Sequence, residues 1–121
     1  MATILIVDDS RTSRRMLANI LEKFGHKVIG EAKNGEEGVA KYKELKPDIV
    51  TLDITMPVMD GLGALDGIIS EDPEANVIMV TAAGQKEKMV EAIKRGALEF
   101  MQKPFDPDQI QSIIESILTN D

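Results

Sequence analysis

Three short runs along the chain are almost wholly apolar: Ile4-Leu5-Ile6-Val7, Ile49-Val50-Thr51-Leu52 and Val77-Ile78-Met79-Val80. They are rich in β-branched residues and show no polar alternation, the pattern of strands buried on both faces of a parallel sheet. Residues 27–32 and 98–101 read as two weaker strands. The segments between them carry apolar residues at helical spacing. Ser10 is placed to cap a first helix in which Met16, Leu17, Ile20, Leu21 and Phe24 recur, with Gly25 as its stop. Asn34 and Glu37 read as a capping box for a second helix, which turns Val39, Tyr42 and Leu45 inward and stops before Pro47. A third is predicted over 62–70, burying Leu62, Leu65, Ile68 and Ile69 and ended by Asp72-Pro73. A fourth, over 85–95, carries Met89, Val90 and Ile93 and stops at Gly96. The fifth has Asp106 as cap, Pro107 at its first position and a stripe of Ile110, Ile113, Ile114, Ile117 and Leu118, before a short polar tail.

Five strands alternating with five helices predict one α/β domain over residues 1–121: a doubly wound five-stranded parallel sheet in a three-layer arrangement, joined by right-handed crossovers. The pattern does not set the strand order. Charge narrows the partners. A net charge of −7 is a poor match for a nucleic-acid surface, so none is expected. With no cysteine there is neither a disulfide framework nor a thiolate site. No apolar run approaches the roughly 20 residues of a membrane span, and the N-terminus lacks the features of a secretory signal. The expectation is a cytoplasmic monomer with no membrane partner.

In a parallel sheet the C-terminal strand ends share one edge, where open α/β folds place their chemistry. Here those ends carry Asp8-Asp9, Asp53, Thr81 and Lys103. Converging carboxylates repel, and a hard divalent cation with oxygen ligands would offset that repulsion; Mg²⁺ suits a few carboxylates plus waters. Lys103 adds an ammonium and Thr81 a hydroxyl. Together these are the groups a phosphoryl group requires, and a carboxylate can itself be its acceptor. Asp53, ending the central strand, is the candidate.

These residues at these spacings resemble the receiver domain of two-component response regulators. The resemblance spans the whole chain and includes Pro57-x-Met59-Asp60-Gly61 and Lys103-Pro104-Phe105. Within the family, the segments around Asp53 and Ala83-Gly84-Gln85 look most like the chemotaxis regulators. The resemblance implies a flavodoxin-like fold with strand order 2-1-3-4-5. It implies that Asp53 accepts a phosphoryl group from a histidine kinase, CheA-like in the chemotaxis case. Asp9, Asp53 and the backbone carbonyl of Thr55 would hold Mg²⁺ directly and Asp8 largely through water, with Thr81 and Lys103 on the phosphoryl oxygens. It also implies a cis bond before Pro104, a switch formed by Thr81 and Phe100, and a phosphorylation-dependent target of the flagellar motor switch type, with a phosphatase as a further partner. The chain departs from the family pattern in places. Phe100 stands where tyrosine is frequent, Ala83 has no polar side chain, and Thr55 is not the amide of some members.

On this reading the protein is a phosphoacceptor signalling protein rather than an enzyme, switching the binding of its partner. Three other readings use the same features. A phosphohydrolase working through an aspartyl phosphate would usually place a second acid two residues after the nucleophile, where Thr55 stands. A flavin carrier would want a glycine- and hydroxyl-rich loop where Asp8-Asp9 lies. A receiver from a non-chemotaxis phosphorelay, stand-alone or cut from a longer regulator, shares every motif. His26, the single histidine, is expected at the surface, far from the strand-end edge. The seven methionines are expected mostly as core filling, with Met89 and Met101 able to reach a partner. A basic and apolar patch of Lys86, Lys88, Met89, Lys94 and Arg95 is expected to form the output face.

Overall fold

Alternation of side chains along each strand builds the architecture. In the computed structural model, which describes residues 1–119, Leu5 and Val7 point to one face of the sheet and Ile4 and Ile6 to the other. Val50 and Leu52 oppose Ile49, and Val77 and Met79 oppose Ile78 and Val80, in the same way. A sheet apolar on both faces must be covered on both. The elements are β1 (Thr3–Val7), α1 (Arg11–Lys23), β2 (Lys27–Ala32), α2 (Gly35–Leu45), β3 (Ile49–Asp53), α3 (Gly61–Glu71), β4 (Val77–Thr81), α4 (Lys86–Lys94), β5 (Glu99–Gln102) and α5 (Pro107–Thr119). The strands pair in parallel in the order β2-β1-β3-β4-β5, the flavodoxin-like topology expected. Helices α2, α3 and α4 cover one face through Tyr42, Leu65, Ile68 and Ala92; α1 and α5 cover the other through Leu17, Leu21, Ile110 and Ile114. The end of the expected domain and of its polar tail, residues 120 and 121, lies outside the described residues.

Side chains set the starts of α1, α2 and α3, the first two at the caps that the sequence implies. Ser10 Oγ accepts the Ser13 N–H at 3.2 Å, Asn34 Oδ1 the Glu37 N–H at 2.8 Å, and Asp60 Oδ1 the Gly63 N–H at 2.9 Å. The capping box is modified, however. Glu37 Oε1 reaches back to the Lys33 N–H at 3.3 Å rather than to that of Asn34.

Several apolar residues fall outside the core predicted for them. The buried face of α1 is centred on Leu17 and Leu21, one turn apart, which leaves Met16 and Phe24 on its exposed shoulders. α4 turns Met89 and Ala92 toward the sheet and leaves Val90 and Ile93 exposed. Leu98 precedes β5 and is exposed, as is Leu118 near the end of α5. Met101, by contrast, is buried between β4 and α5 and so cannot meet a partner. His26 also departs from expectation. It is buried: Nδ1 accepts the Ala2 N–H at 3.2 Å, and Nε2 faces Gln111 Oε1 at 3.3 Å. The ring thus ties the start of β1 to α5, and hydrogen bonds on both nitrogens let a polar side chain sit inside.

On the central strand, Thr51 Oγ1 is the one buried side-chain polar atom among the described residues without a hydrogen-bond partner. A desolvated, unpaired hydroxyl costs stability, and valine has nearly the same shape. Thr51→Val is expected to raise unfolding stability by about 1 kcal/mol or more, read as a higher urea midpoint at unchanged slope.

Candidate functional site

β1 and β3 lie side by side, with Val7 opposite Leu52, so the residues that follow, Asp8 and Asp53, meet at the C-terminal edge. Asp9 joins them. One carboxylate oxygen from each of the three lies within 4.8 Å of the others. Asp8 and Asp53 are 3% and 8% exposed, whereas Asp9 faces solvent. The loop after β5 delivers Lys103, whose Nζ lies 3.0 Å from Asp8 Oδ2 and 3.3 Å from Asp53 Oδ2. The bond between Lys103 and Pro104 is cis, as expected.

Each of the two buried carboxylates is held from a second side. Asp8 Oδ1 accepts the Ser10 N–H at 2.8 Å, while Arg14 Nη1 donates to the Asp8 carbonyl at 2.8 Å and Arg14 Nε pairs with Glu31 at 2.9 Å. Asp53 Oδ1 lies 3.4 Å from the Thr55 N–H. The chain leaves β3 through a tight path: the Gly61 N–H donates to the Ile54 carbonyl at 2.8 Å, and a Cβ at Gly61 would run into the Asp53 carbonyl oxygen. The same loop holds Val58 at φ 68°, a left-handed conformation that costs a β-branched residue of order 1–3 kcal/mol.

The electrostatics follow from burial. Loss of solvent, then the charge of Asp8, pushes the Asp53 carboxyl up to about 6, against the pull of Lys103. Burial draws the Lys103 ammonium down, but the hydrogen bond to Asp8 and the charges of Asp53 and Asp8 outweigh it and hold it above its ordinary value. One ammonium therefore does not neutralise this cluster. Three hard oxygen donors with an unmet need for positive charge fit a small divalent cation.

Thr81 ends β4 and is buried. Beyond it lies a groove of about 210 Å³ lined by Thr81, Gln85, Lys86, Met89 and Phe100 among others, and Phe100 is 38% exposed. Of the expected basic patch, Lys86, Lys88 and Lys94 are exposed, but Arg95 is committed to Glu91 and Asp66 at 2.9 Å each. Sequence reasoning missed two features of the edge: the Arg14 clamp, and a bridge from Gln85 Nε2 to Thr55 Oγ1 at 2.6 Å. The bridge has no local sequence signal, since 30 residues separate its pair, and the clamp binds a backbone carbonyl, which no residue type marks.

The raised Asp53 pKa has a sign. A carboxyl whose pKa is higher folded than unfolded is disfavoured as an anion by folding, so it lowers stability above about pH 6. That cost fades as the pH falls through 6 and is gone below about 4, the ordinary carboxyl range. Without metal, Asp53→Asn is expected to be more stable than wild type at pH 8, by on the order of 1 kcal/mol. The advantage should disappear toward pH 4.5 in urea unfolding curves taken across that range.

The comparisons with known proteins agree with this geometry. The response regulator receiver domain family matches residues 4–115. The chain is 50% identical over 114 residues to the chemotaxis protein CheY of Thermotoga maritima, covering 94% of this chain and 95% of that one. It is 48% identical over 115 residues to the chemotaxis protein CheY of Bacillus subtilis, covering 95% of this chain and 96% of that one. Among solved structures, the CheX-CheY-BeF3-Mg complex of Borrelia burgdorferi superposes with a TM-score of 0.92 at 39% identity, covering 98% of this chain and 90% of that one. With the strand order, the acidic edge and these relatives in agreement, the chain belongs to the response regulator receiver domain family and is homologous to the chemotaxis CheY proteins, phosphorylation-activated signalling regulators.

Proposed function

We propose that residues 1–121 act as one receiver domain in which Asp53 accepts a phosphoryl group from a CheA-like histidine kinase and so switches partner binding in chemotaxis. The observation that carries this reading is the convergence of Asp8, Asp9 and Asp53 within 4.8 Å, with a single ammonium shared by Asp8 and Asp53. The Asp53 carboxylate attacks phosphorus in line while the bond from phosphorus to the donor nitrogen breaks; that nitrogen keeps the electron pair and takes up a proton. Lys103, already at hydrogen-bond distance from Asp53, pairs with the phosphoryl oxygens, and the Thr81 hydroxyl donates to one of them. Asp9, Asp53 and the Thr55 carbonyl would hold Mg²⁺, with Asp8 acting from behind, already tied to Ser10 and Lys103. When bound, the ion supplies charge neutralisation for the incoming oxygens. Magnesium in the related Borrelia complex supports this assignment.

The protein works as a signalling protein rather than an enzyme. A phosphohydrolase reading wants an acid where Thr55 stands, and that hydroxyl is engaged by Gln85. No helix among the described residues is long and apolar enough to cross a membrane, and the likeness to the chemotaxis CheY proteins is what supports a cytoplasmic reading. Output follows from the groove beside Thr81. Movement of Thr81 toward the phosphoryl group leaves room for the Phe100 ring to turn inward, and phenylalanine has no hydroxyl to bury unpaired. Exposed Val90 and Ile93 lie with Lys86 and Lys94 along one side of α4, a face suited to an acidic amphipathic segment of a target of the flagellar motor switch type. A phosphatase would meet the acidic edge itself.

Intact-mass measurement after incubation with acetyl phosphate and Mg²⁺ tests the acceptor. Wild type is expected to gain one phosphoryl group and Asp53→Asn none; labelling of that variant would sink the assignment. Lys103→Ala is expected to bind Mg²⁺ at least as tightly as wild type but to take up phosphate on the order of 10²-fold more slowly. For the output face, Lys86→Glu combined with Val90→Ala should leave labelling intact and remove phosphorylation-dependent binding of the target. Retained binding would place the output face elsewhere.

A further inference from the structure

The parallel ladder between β3 and β4 ends beside Asp53. Asp53 is in register with Val80, and the Ile54 N–H makes the last cross-strand bond, to the Val80 carbonyl at 3.1 Å. One step further along, Thr55 and Ala82 would face each other, but the strands have parted. The Gln85 side chain fills that gap. Its Nε2 donates to Thr55 Oγ1 at 2.6 Å, and its Oε1 accepts the Ala82 N–H at 2.7 Å. A primary amide suits the position because it presents a donor and an acceptor on one rigid plane. Asparagine is a methylene shorter, and lysine offers no acceptor to the Ala82 N–H. Gly84, at φ 86°, makes the turn that brings Gln85 back over the strand ends. Gln85 is also the residue before the first turn of α4, yet its side chain makes no capping bond to that helix. Its amide is thus spent on spanning the two loops.

We propose that Gln85 is a positioning residue that bars the line of approach to Asp53, by joining the loop after β3 to the loop after β4 immediately beyond the acceptor carboxylate. The inference rests on the reading of Asp53 as phosphoacceptor. In-line displacement fixes its consequence. During transfer, the donor's leaving atom departs from phosphorus opposite the Asp53 oxygen. During hydrolysis, a water oxygen bonds to phosphorus from that same side while the bond to the Asp53 oxygen breaks. Asp53 then leaves as carboxylate with the electron pair, and the water protons remain with the inorganic phosphate or pass to solvent. Both steps therefore use one line of approach, and a bridge across it slows both by the same factor. Gln85 sets how fast the site exchanges phosphate with a small donor and with water, without setting how much is held at steady state.

The test measures both rates. Gln85→Ala is expected to raise labelling by acetyl phosphate and decay of the labelled protein together, each by roughly five- to thirtyfold, the equivalent of two modest hydrogen bonds. Thr55→Val, which removes the other end of the bridge while keeping the backbone, should do the same, and the double variant should go no further than either alone. Hydrogen exchange at the Ala82 amide supplies a readout independent of phosphorylation: it should lose protection in Gln85→Ala, with no metal or donor present. If Gln85→Ala fails to fold, Thr55→Val carries the same rate comparison. Loss of Ala82 protection with unchanged rates would overturn the proposal, as would a change in only one rate or additive effects in the double variant. Wild-type protein that gains no phosphoryl mass would instead overturn the reading of Asp53 itself.

Discussion

Repulsion between carboxylates at the end of the central strand is the constraint on which this molecule turns. A parallel sheet brings the ends of β1 and β3 together whatever residues stand there, and here both are aspartates, partly withdrawn from water. Burial removes the screening that would let them coexist, so the Asp53 pKa rises and one lysine must serve two acids. Positive charge is what such a cluster lacks, and a bound cation would supply it. The fold has placed unmatched negative charge there and packed the surroundings to hold it, and on the proposed reading a bound cation is what lets Asp53 act as an acceptor.

Holding it costs stability locally. Val58 sits in the left-handed region, the chain passes Gly61 too closely for any Cβ, and Asp8 is fixed by Ser10 and Lys103 at once. The Gly35 N–H, at the start of α2, donates to the Met59 carbonyl at 2.9 Å and pins the far side of the same loop. Strain of this kind persists only where surrounding structure over-determines it. The compensation lies in the sheet: all five residues of β3 and of β4 are buried, with apolar clusters on both faces. The rigid centre of the domain and its strained rim are two parts of one arrangement.

This division explains what could be read in the sequence. Strand runs such as Ile4-Leu5-Ile6-Val7 are legible because burial on both faces leaves no room for polar residues. The site residues are legible because every strand end must reach the same edge, so Asp8, Asp53, Thr81 and Lys103 needed only the strand boundaries to be brought together. The pattern faltered at surfaces seen from one side. Val90 and Ile93 match a helical stripe, but only the narrower face of Met89 and Ala92 meets the sheet. Hydrophobic spacing reports that a helix has an apolar face, not how much of it is covered. His26 failed in the opposite direction. A lone polar residue beside a turn looks solvated until the third dimension supplies Ala2 and Gln111.

The uncovered face of α4 and the crowded acidic edge are best understood together. α4 is seated on the core by Met89 and Ala92, and no side chain caps its N-terminus. A helix held by so few buried contacts belongs to the low-stability end of a structure, from which moving parts are drawn. Its first anchor toward the site is Gln85, whose amide is committed to Thr55 and Ala82. Exposed Phe100 and buried Thr81 both line the groove at the same helix end. Any group that draws Thr81 or the Thr55 loop toward Asp53 would therefore pull on a helix with one fully buried residue and no side-chain cap. The exposed apolar residues of α4 are the surface that such a displacement would reshape. On the proposed reading, the light seating of α4 is what would give a change of charge at Asp53 a route to the protein surface.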